Sequence, residues 1–507
     1  MDEIYDDDAV PGLAGGSAAY SSTWTMEFDA GSGTGFDGGG ADDRMRLSDV
    51  GKLARRARRQ VVGAARADDR PTFLKLLGEH LGVPLQGLEV VEESWPSYEL
   101  VNVQIGLDAW LAAEGRTHRL VGVTGHRHYE FGLGDLLQPA PHAHGPRPGN
   151  VSWTRLASGP DGEVTQAVRA GLYLVTDGEV RLALLLLAAD PESGRGSVEL
   201  HVVAATGGAA ATLAGDVRRL AVEHNVFRGQ VISFGGAMFG ERSAALQFHR
   251  RPEVRASDLV LPEQTRELIT RQVVGVAEHR ERMLAARQHL KRGLLLYGPP
   301  GVGKTHSVRY LISRLVGVTI VQLSGDSLRL IGPACSVART LQPAMIVVED
   351  VDLIAEDRGD YPGQHPLLFE LLNEMDGLAE DADVVFLLTT NRADVLEPAL
   401  AARPGRVDQA VALDLPDAGG RRQLFELYRG RLRVDESRLD AVLARTEGVT
   451  ASFLKELLRR SALLAAEAAE GELTVTADHL DAALEELLDT RNAMTRVLLG
   501  GGARRDD

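Results

Sequence analysis

The stretch Gly298-Pro-Pro-Gly-Val-Gly-Lys-Thr305 decides the fold class expected of this chain. It follows the apolar run Gly293–Tyr297 and precedes a helical pattern over His306–Val316, so the order is strand, glycine-rich loop, helix. Glycines let backbone N–H groups close around a phosphate, and the start of the helix adds its positive dipole end. Lys304 offers a cation to the outer phosphates, and the Thr305 hydroxyl can ligate Mg²⁺. The alternative, a glycine turn that matches by chance, is disfavoured by the flanking strand and helix.

The stretch therefore predicts a site for a nucleoside triphosphate. The residues expected to contact the nucleotide are Gly298, Pro299, Pro300, Gly301, Val302, Gly303, Lys304, Thr305 and His306.

Composition limits the classes of protein to which this chain can belong. The chain has 507 residues and a formal net charge of −17. The length predicts two or three domains, and the acidic surface argues against general nucleic-acid binding. Cys335 is the single cysteine, so no intrachain disulfide framework is expected. Without a signal peptide or an apolar stretch long enough for a bilayer, we expect a cytoplasmic protein with no transmembrane segment.

Residues 1–70 divide into two parts of opposite charge. Residues 1–43 are rich in Gly, Ser and acidic residues, which predicts a disordered tail. Residues 44–70 combine arginines with apolar residues at helical spacing, which predicts a basic amphipathic helix. Such a helix could meet an acidic partner, RNA or a membrane surface. A solvated helix that folds back on the acidic tail is favoured instead, because charge runs are usually solvated.

Residues 71–255 have the pattern of an α+β domain that engages a substrate or an assembly partner. A helix is predicted at Phe73–Leu81, whereas Leu100–Ala113 fits a strand or a helix equally well. Further predicted elements are the strands Ala170–Thr176, Val180–Ala189 and Ser197–Ala205, the helix Ala209–Asn225 and the strand Gly229–Phe234. His142 and His144 in the loop Pro139–Gly149 fit exposed loop residues better than a metal site, because the spacing places no third ligand.

Downstream of the glycine-rich loop, strand and helix patterns alternate, as a parallel sheet requires. The predicted elements are the strand Val318–Leu323, a helix over Ser324–Leu341 that is broken near Gly332-Pro333, the strand Met345–Val348, the helix Pro366–Met375 and the strands Val384–Thr390 and Gln409–Leu415. From Gly419 to Leu488 the pattern is helical throughout.

Over roughly Asp258–Leu488 this arrangement resembles the AAA family of ATPases, within the AAA+ class. The glycine-rich loop Gly298–Thr305 corresponds to the family's Walker A motif. Four further motifs follow in the family's order: the Walker B strand Met345–Asp352, the inter-subunit signalling motif Asp376-Gly-Leu378, sensor 1 at Thr389–Arg392 and the arginine-finger segment Ala402–Asp408. A single ATPase module is present in the sequence.

The resemblance implies an α/β fold, a P-loop NTPase parallel sheet with a C-terminal α-helical lid. Together with the patterns upstream, we expect an α+β N-terminal domain and a disordered N-terminal tail before it. The expected limits are 1–70 for the tail and basic helix, 71–255 for the N-terminal domain, 256–416 for the large ATPase subdomain, 417–490 for the lid and 491–507 for a flexible tail.

The Walker B strand ends in Glu349 and Asp350, at the sheet edge where ligands bind. One carboxylate can hold the water shell of Mg²⁺, and the other can orient the water that attacks the γ-phosphate. Thr305 and Glu349 are the expected metal residues. Most family members have Asp before Glu; the reversed order here is similar to that of a subgroup of AAA chaperones. The reversed order moves the reactive carboxylate by about one methylene length, and a displacement of ~1 Å can lower the rate about a hundredfold. We therefore expect slow but real hydrolysis.

The resemblance implies roles for three further residues. Asn391 would position the attacking water, and Arg403 and Arg406 would reach into the nucleotide site of the next protomer. Such a head-to-tail contact closes into a homo-oligomeric ring, expected to be a hexamer. The catalytic set is therefore Glu349, Asp350, Asn391, Arg403 and Arg406.

Two stretches depart from the family's pattern. Leu330 and Ile331 stand where many AAA unfoldases carry an aromatic pore residue, so threading of a peptide is less secure. The sensor 2 region Gly448–Phe453 has no arginine at its start, with Lys455 at best a substitute. The sequence also contains no HExxH protease motif.

Three functions fit these residues. The first is MgATP hydrolysis that remodels, unfolds or disassembles an unknown protein client through an oligomeric ring. The alternative is an ATP-binding assembly scaffold with negligible turnover. A nucleic-acid remodeller that uses the cluster around Arg55–Arg59 ranks last because the chain is acidic overall.

Overall fold

The structure, a computed structural model, describes residues 72–125, 130–139, 145–235, 245–353, 366–379, 381–392, 407–468 and 471–489. The predicted disordered tail and basic helix, the histidines of the Pro139–Gly149 loop, Arg403, Arg406 and the tail over 491–507 lie outside these residues.

A seven-stranded antiparallel sheet forms the first layer of the described chain. Its strands are β1 Val90–Pro96, β2 Arg116–Thr124, β3 Arg147–Gly149, β4 Ser152–Ala157, β5 Val164–Asp177, β6 Val180–Leu187 and β7 Ser197–Ala204. They lie in the order β1-β7-β6-β5-β2-β3, and β4 also pairs with β5. The helices on this sheet are α1 Phe73–Leu81, α2 Leu100–Leu111, α3 Leu133–Leu136 and α4 Ala209–Glu223, and a 3-10 turn covers Ser97–Glu99.

Both faces of this sheet are covered, as β6 shows. Leu182, Leu184 and Leu186 pack with α2 and α4, whereas the intervening side chains pack with α1 and α3. Because side chains alternate across a strand, burial on both faces makes its sequence a continuous apolar run. The helix predicted at Phe73–Leu81 is confirmed.

The segment that fitted strand or helix is the helix α2. Val103 and Leu107 pack against the antiparallel sheet, while Val101 joins the core of the second sheet described below. A helix buried on two sides loses the one-sided apolar stripe by which a helical period is recognised.

The second sheet also has seven strands and is parallel except at one edge. Its strands are β8 Val231–Gly235, β9 Ala245–His249, β10 Arg292–Tyr297, β11 Thr319–Leu323, β12 Ala344–Val348, β13 Val384–Thr390 and β14 Gln409–Ala412, in the order β14-β10-β13-β12-β11-β8-β9. This parallel sheet, with helices on it and at the C-terminal side, confirms the expected fold class.

One strand predicted within the N-terminal domain pairs with the parallel sheet. The run Gly229–Phe234, expected to complete the N-terminal domain, forms β8 and pairs in parallel with β11 through Ile320 and Val231. The antiparallel edge strand β9, which the sequence patterns missed, follows it. The ATPase-type sheet therefore begins ahead of residue 256, while the domain limits themselves stay predictions.

Helices cover the two faces of the parallel sheet. They are α5 Glu263–Thr270, α6 Val276–Glu278, α7 Arg280–Ala285, α8 Lys304–Arg314, α9 Ile331–Thr340 and α10 Pro366–Asp376, with a π-helical turn at Arg271–Gly275 and 3-10 turns at Ala256–Asp258 and Gly325–Leu330. In β12, Met345 and Val347 face the core that contains α8, and Ile346 faces the core that contains α9 and α10.

The break expected near Gly332-Pro333 lies earlier, between the 3-10 turn and α9. Pro333 sits in the first turn of α9, where a missing N–H leaves no helical hydrogen bond unmade. The break predicted near this dipeptide is therefore confirmed, although Pro333 itself does not cause it.

A helical lid with its own core follows the sheet. Its helices are α11 Ala418–Arg429, α12 Leu439–Arg445, α13 Ala451–Ala468 and α14 Ala477–Leu488. The expectation of helices throughout was wrong at two points, because β15 Arg433–Val434 and β16 Thr474–Val475 pair in parallel. Among the described residues, none of the helices is long and apolar enough to cross a membrane.

Candidate nucleotide site

The glycine-rich loop between β10 and α8 has the backbone that a phosphate cradle requires. Gly298, Gly301 and Gly303 have φ of 149°, 81° and 108°, a region that favours glycine. A Cβ at Gly298 would lie 2.2 Å from the Leu413 carbonyl oxygen. A side chain at Gly298 is therefore excluded by both conformation and space.

Lys304 begins α8 and turns its side chain back over the loop. Its Nζ donates hydrogen bonds to the carbonyls of Gly298 (2.8 Å) and Pro299 (2.9 Å), and the residue is 7% exposed. Burial lowers the pKa of the Lys304 ammonium, while the nearby carboxylates of Asp350 and Asp352 act in the opposite direction. The loop thus holds a cation at the place where the sequence predicts phosphate.

The other loop residues differ in what they contact. Val302 packs into the core beneath α8, and Pro299 and Pro300 are exposed. His306 contacts the carbonyl oxygen of Asp258 through Nε2 at 2.9 Å, so its ring joins α8 to the 3-10 turn Ala256–Asp258. A nucleotide contact by His306 stays a prediction.

The two Walker B carboxylates diverge to different partners. The Thr305 hydroxyl donates to Glu349 Oε2 at 2.9 Å, and the Asn391 amide donates to Asp350 Oδ1 at 3.3 Å. The sheet order explains why Thr305, Asn391 and the two carboxylates lie close together. The strand β13, which ends before Asn391, lies between β10 and β12. Carboxyl ends of parallel strands share one sheet edge, where ligands bind.

Two residues that the sequence analysis did not single out complete this edge. Thr389 Oγ1 accepts a hydrogen bond from the Asp350 amide at 3.1 Å. Asp352, which is 9% exposed, accepts hydrogen bonds from Thr390 Oγ1 (2.9 Å) and from the backbone N–H of Asn391 (3.3 Å). Asp352 lies within the Walker B stretch, but its partner strand could not be known without the sheet order.

The lid contacts the phosphate loop directly. The Ser452 amide donates to the Gly301 carbonyl at 3.3 Å, and a Cβ at Gly301 would lie 3.0 Å from Thr450 Oγ1. Thr450 also accepts a hydrogen bond from the Phe453 amide at 3.3 Å, at the start of α13. Small residues of the sensor 2 region therefore approach the loop closely, at a point where a larger side chain would clash.

Of the arginine-finger segment, the structure describes Val407 and Asp408. Asp408 accepts a hydrogen bond from the Gly293 amide at 2.8 Å through Oδ2, which fixes the end of the segment to the first residues of β10. The roles given to Arg403 and Arg406 stay predictions.

Of the expected aliphatic pore pair, Ile331 is not exposed to solvent. Ile331 is fully buried at the start of α9, within the core of the sheet, and Leu330 is partly buried against the same core. On the described segment between β11 and β12, the 3-10 turn leads directly into α9, and Ile331 cannot grip a substrate from this position.

A separate groove of about 920 Å³ lies between α5, α7 and the far end of α8. Arg271, Arg282 and Arg314 line it, and none of the phosphate-loop residues does. It is distinct from the nucleotide site on this account.

Comparison with known families bears on the whole arrangement. Residues 294–415 match the AAA family, described as "ATPase family associated with various cellular activities". The chain therefore contains an AAA ATPase domain. The matched residues run from β10 to the end of the parallel sheet, so they include the phosphate loop, both Walker B carboxylates and Asn391. The expected enzyme class, an ATPase, is confirmed for this domain.

Similar proteins include several ATP-dependent zinc metalloproteases. FtsH 3 of Symbiobacterium thermophilum is 30% identical over 282 residues, which cover 53% of this chain and 43% of the relative. FtsH of Thermus thermophilus is 31% identical over 262 residues, 49% of this chain and 41% of the relative. FtsH of Mycobacterium leprae is 33% identical over 224 residues, 41% and 28% respectively. The chain thus spans less than half the length of these relatives.

The donor set of the AAA site fits Mg²⁺. Thr305 and Glu349 offer oxygen atoms, the ligand type that Mg²⁺ prefers, and this ion usually takes one or two protein ligands beside phosphate and water. Within the described residues there is no cluster of three or more His, Cys, Asp or Glu that could hold a metal by itself. A site shared with phosphate is therefore the arrangement that these residues support.

Proposed function

We propose that this AAA protein hydrolyses MgATP and uses the cycle to remodel a protein partner. The observation that carries the proposal is the convergence of Lys304, the Thr305–Glu349 pair and the Asp350–Asn391 pair at one edge of the parallel sheet. A cation for phosphate, oxygen ligands for the metal and a carboxylate beside an amide are the groups that phosphoryl transfer to water requires.

Each residue has a distinct task in this proposal. Lys304 binds the outer phosphates, and Thr305 with Glu349 holds Mg²⁺, which when bound neutralises charge on the phosphates. Asp350 accepts a hydrogen bond from the attacking water and orients it toward the γ-phosphate, and Asn391 fixes the position of that carboxylate. Glu349, directed to Thr305, is the metal-side carboxylate despite the reversed order.

The ring belongs to the proposal as well. Arg403 and Arg406 would stabilise transition-state charge in the site of a neighbouring copy, which requires a head-to-tail homo-oligomer, proposed to be a hexamer. The client is a protein of unknown identity. A cytoplasmic location is proposed from composition, with one cysteine in the sequence.

A second candidate function is an ATP-binding assembly scaffold with negligible turnover. The buried position of Ile331 favours it, because this side chain is not available to pull a peptide. In this alternative, ATP binding builds the ring and the partner binds to it without being threaded.

Phosphate release and particle size, measured together on purified protein, separate the two functions. For the ATPase we expect steady phosphate release that Lys304→Ala abolishes, with ATP-dependent assembly lost in the same variant. For the scaffold we expect ATP-dependent assembly without release above background. The ATPase proposal is abandoned if wild-type protein binds and assembles with MgATP but releases no phosphate.

A further inference from the structure

The backbone at Asp350 is left-handed. Its φ is +53°, and among the described residues other than glycine only Arg287 shares a positive φ. Non-glycine residues rarely occupy this region, and Asp and Asn are the side chains most often found there. The reacting position of this AAA domain therefore has a conformation that itself discriminates between side chains.

Thr389 holds this conformation from the neighbouring strand. Its hydroxyl oxygen accepts the Asp350 amide at 3.1 Å, and its carbonyl accepts the Val351 amide at 2.9 Å. Both contacts fix peptide groups on the two sides of the strained residue. Removal of the hydroxyl would leave the Asp350 amide without this acceptor.

Further hydrogen bonds join the residues that follow β12 to the end of β13 and to Asn391. Asp352 accepts from the Thr390 hydroxyl and from the Asn391 amide, and Asn391 returns a side-chain hydrogen bond to Asp350. The carboxylate of Asp350 is therefore placed by its own backbone and by Asn391, within 3.3 Å of the amide.

We propose that this left-handed turn selects aspartate at position 350, and that Thr389 is a positioning residue for hydrolysis. The reversed order of the Walker B pair is then an adaptation to the turn, not a defect of the site. Glutamate would place a less tolerated side chain in the turn, and its extra methylene would carry the carboxylate past Asn391. The inference rests on the proposed function for the role of Asp350 in activating water.

Two kinds of measurement test the inference. The first is the thermal midpoint of unfolding without nucleotide. We expect Asp350→Gly to raise the midpoint or leave it unchanged, Asp350→Asn to stay near wild type, and Asp350→Glu to lower it. Thr389→Val should lower the midpoint, and Thr389→Ser, which keeps the hydroxyl, should restore it.

The second measurement is turnover and nucleotide affinity of the same variants. Asp350→Glu should lower kcat by about a hundredfold, as expected for a carboxylate displaced by ~1 Å, with ATP affinity little changed. Thr389→Val should lower kcat at unchanged affinity, and Thr389→Ser should recover it. A purely structural role for Thr389 would lower stability without this separation of kcat from affinity.

The results that overturn the inference are specific. If Asp350→Glu is as stable as wild type and turns over as fast or faster, the turn does not select aspartate. If Thr389→Val keeps full kcat, Thr389 positions nothing that the reaction uses. An absence of turnover in wild-type protein contradicts the proposed function and the catalytic part of the inference, while the order of the unfolding midpoints still decides whether the turn selects its residue.

Discussion

Lys304 carries its charge in surroundings that disfavour it. The ammonium is almost fully buried beneath the loop and depends on two backbone carbonyls for hydrogen bonds. Burial lowers the pKa of Lys304 from its ordinary value, with the carboxylates of Asp350 and Asp352 opposing the shift. The residue is therefore closer to losing its proton than an exposed lysine, whose pKa is about 10.4.

This shift predicts the pH dependence of nucleotide binding. Phosphate is attracted by the protonated ammonium, so affinity for ATP should fall as pH rises through the pKa of Lys304 in the free protein. Because that pKa is lowered, the fall should begin at a lower pH than an ordinary lysine would give. The measurement is the dissociation constant of ATP across alkaline pH.

Lys304→Arg serves as the control, because a guanidinium stays charged over this range. Its affinity should be weaker but should not show the same fall. An affinity in wild-type protein that stays constant up to the pKa of an exposed lysine would contradict the prediction.

At the level of elements, one guanidinium joins α8 to the parallel sheet. Arg251 donates hydrogen bonds to the carbonyls of Ile312 and Leu315 at the end of α8, and to those of Gly229 and Val318 next to β8 and β11. A cation at a helix C-terminus also meets the negative end of the helix dipole. Arg251 therefore fixes the far end of the helix whose first residue is Lys304.

We expect Arg251→Met to lower the free energy of unfolding by on the order of 3 kcal/mol, because carbonyls are left without donors. Arg251→Lys should recover only part of this loss, because an ammonium cannot span all four acceptors. Urea unfolding measures both. The matched control is Arg250→Met, since Arg250 is an exposed partner of Asp161 and such ion pairs contribute less than about 1 kcal/mol. Equal losses in the two variants would refute this account of Arg251.

The sequence predicted individual elements better than their arrangement. The strand Val384–Thr390 was predicted at its observed limits, since an apolar run between turn signals is a local feature. That β13 lies between β10 and β12, and so brings Thr389 against Asp350, depends on strand order and not on local pattern. For the same reason the sequence did not predict that β8 pairs with β11.

The left-handed backbone at Asp350 could not be predicted from the sequence either. The sequence showed only a reversed pair of acidic residues, and a backbone angle leaves no mark in composition or period. The lid contact at Gly301 shows the same limit, because it depends on how α13 meets the loop.

At the scale of the whole molecule, the hydrophobic core on one face of the parallel sheet also takes in a residue of α2, the helix that covers the antiparallel sheet. Phe234 of β8 meets Tyr98 edge to face, with ring centroids 5.6 Å apart, and Val101 of α2 joins the same cluster. This core joins the edge of the ATPase sheet to the helix that covers the antiparallel sheet. We therefore expect residues of both sheets to unfold together.

Phe234→Ala tests this coupling. The truncation should cost about 3–5 kcal/mol and should separate the unfolding of the two sheets into two transitions, which calorimetry would resolve. Trp153→Ala, at a side chain that is 49% exposed, should cost less than about 1 kcal/mol and keep a single transition. A single, unchanged transition in Phe234→Ala would show that Phe234 does not carry the coupling, and two transitions in wild-type protein would show that the sheets are not coupled.

The central claim of the proposed function is that a complete hydrolytic site needs two copies of the chain. In the proposed ring, one copy would supply the loop with Lys304, and its neighbour would supply Arg403 and Arg406. The most direct measurement is phosphate release after mixing a Lys304→Ala chain with an Arg403→Ala/Arg406→Ala chain, each inactive alone. Co-purification through different tags shows that the two assemble together.

We expect turnover to reappear in the mixture and to vary with the ratio of the two chains, because some interfaces then combine an intact loop with intact arginines. Mixed assemblies that form but release no phosphate at any ratio would contradict the shared site.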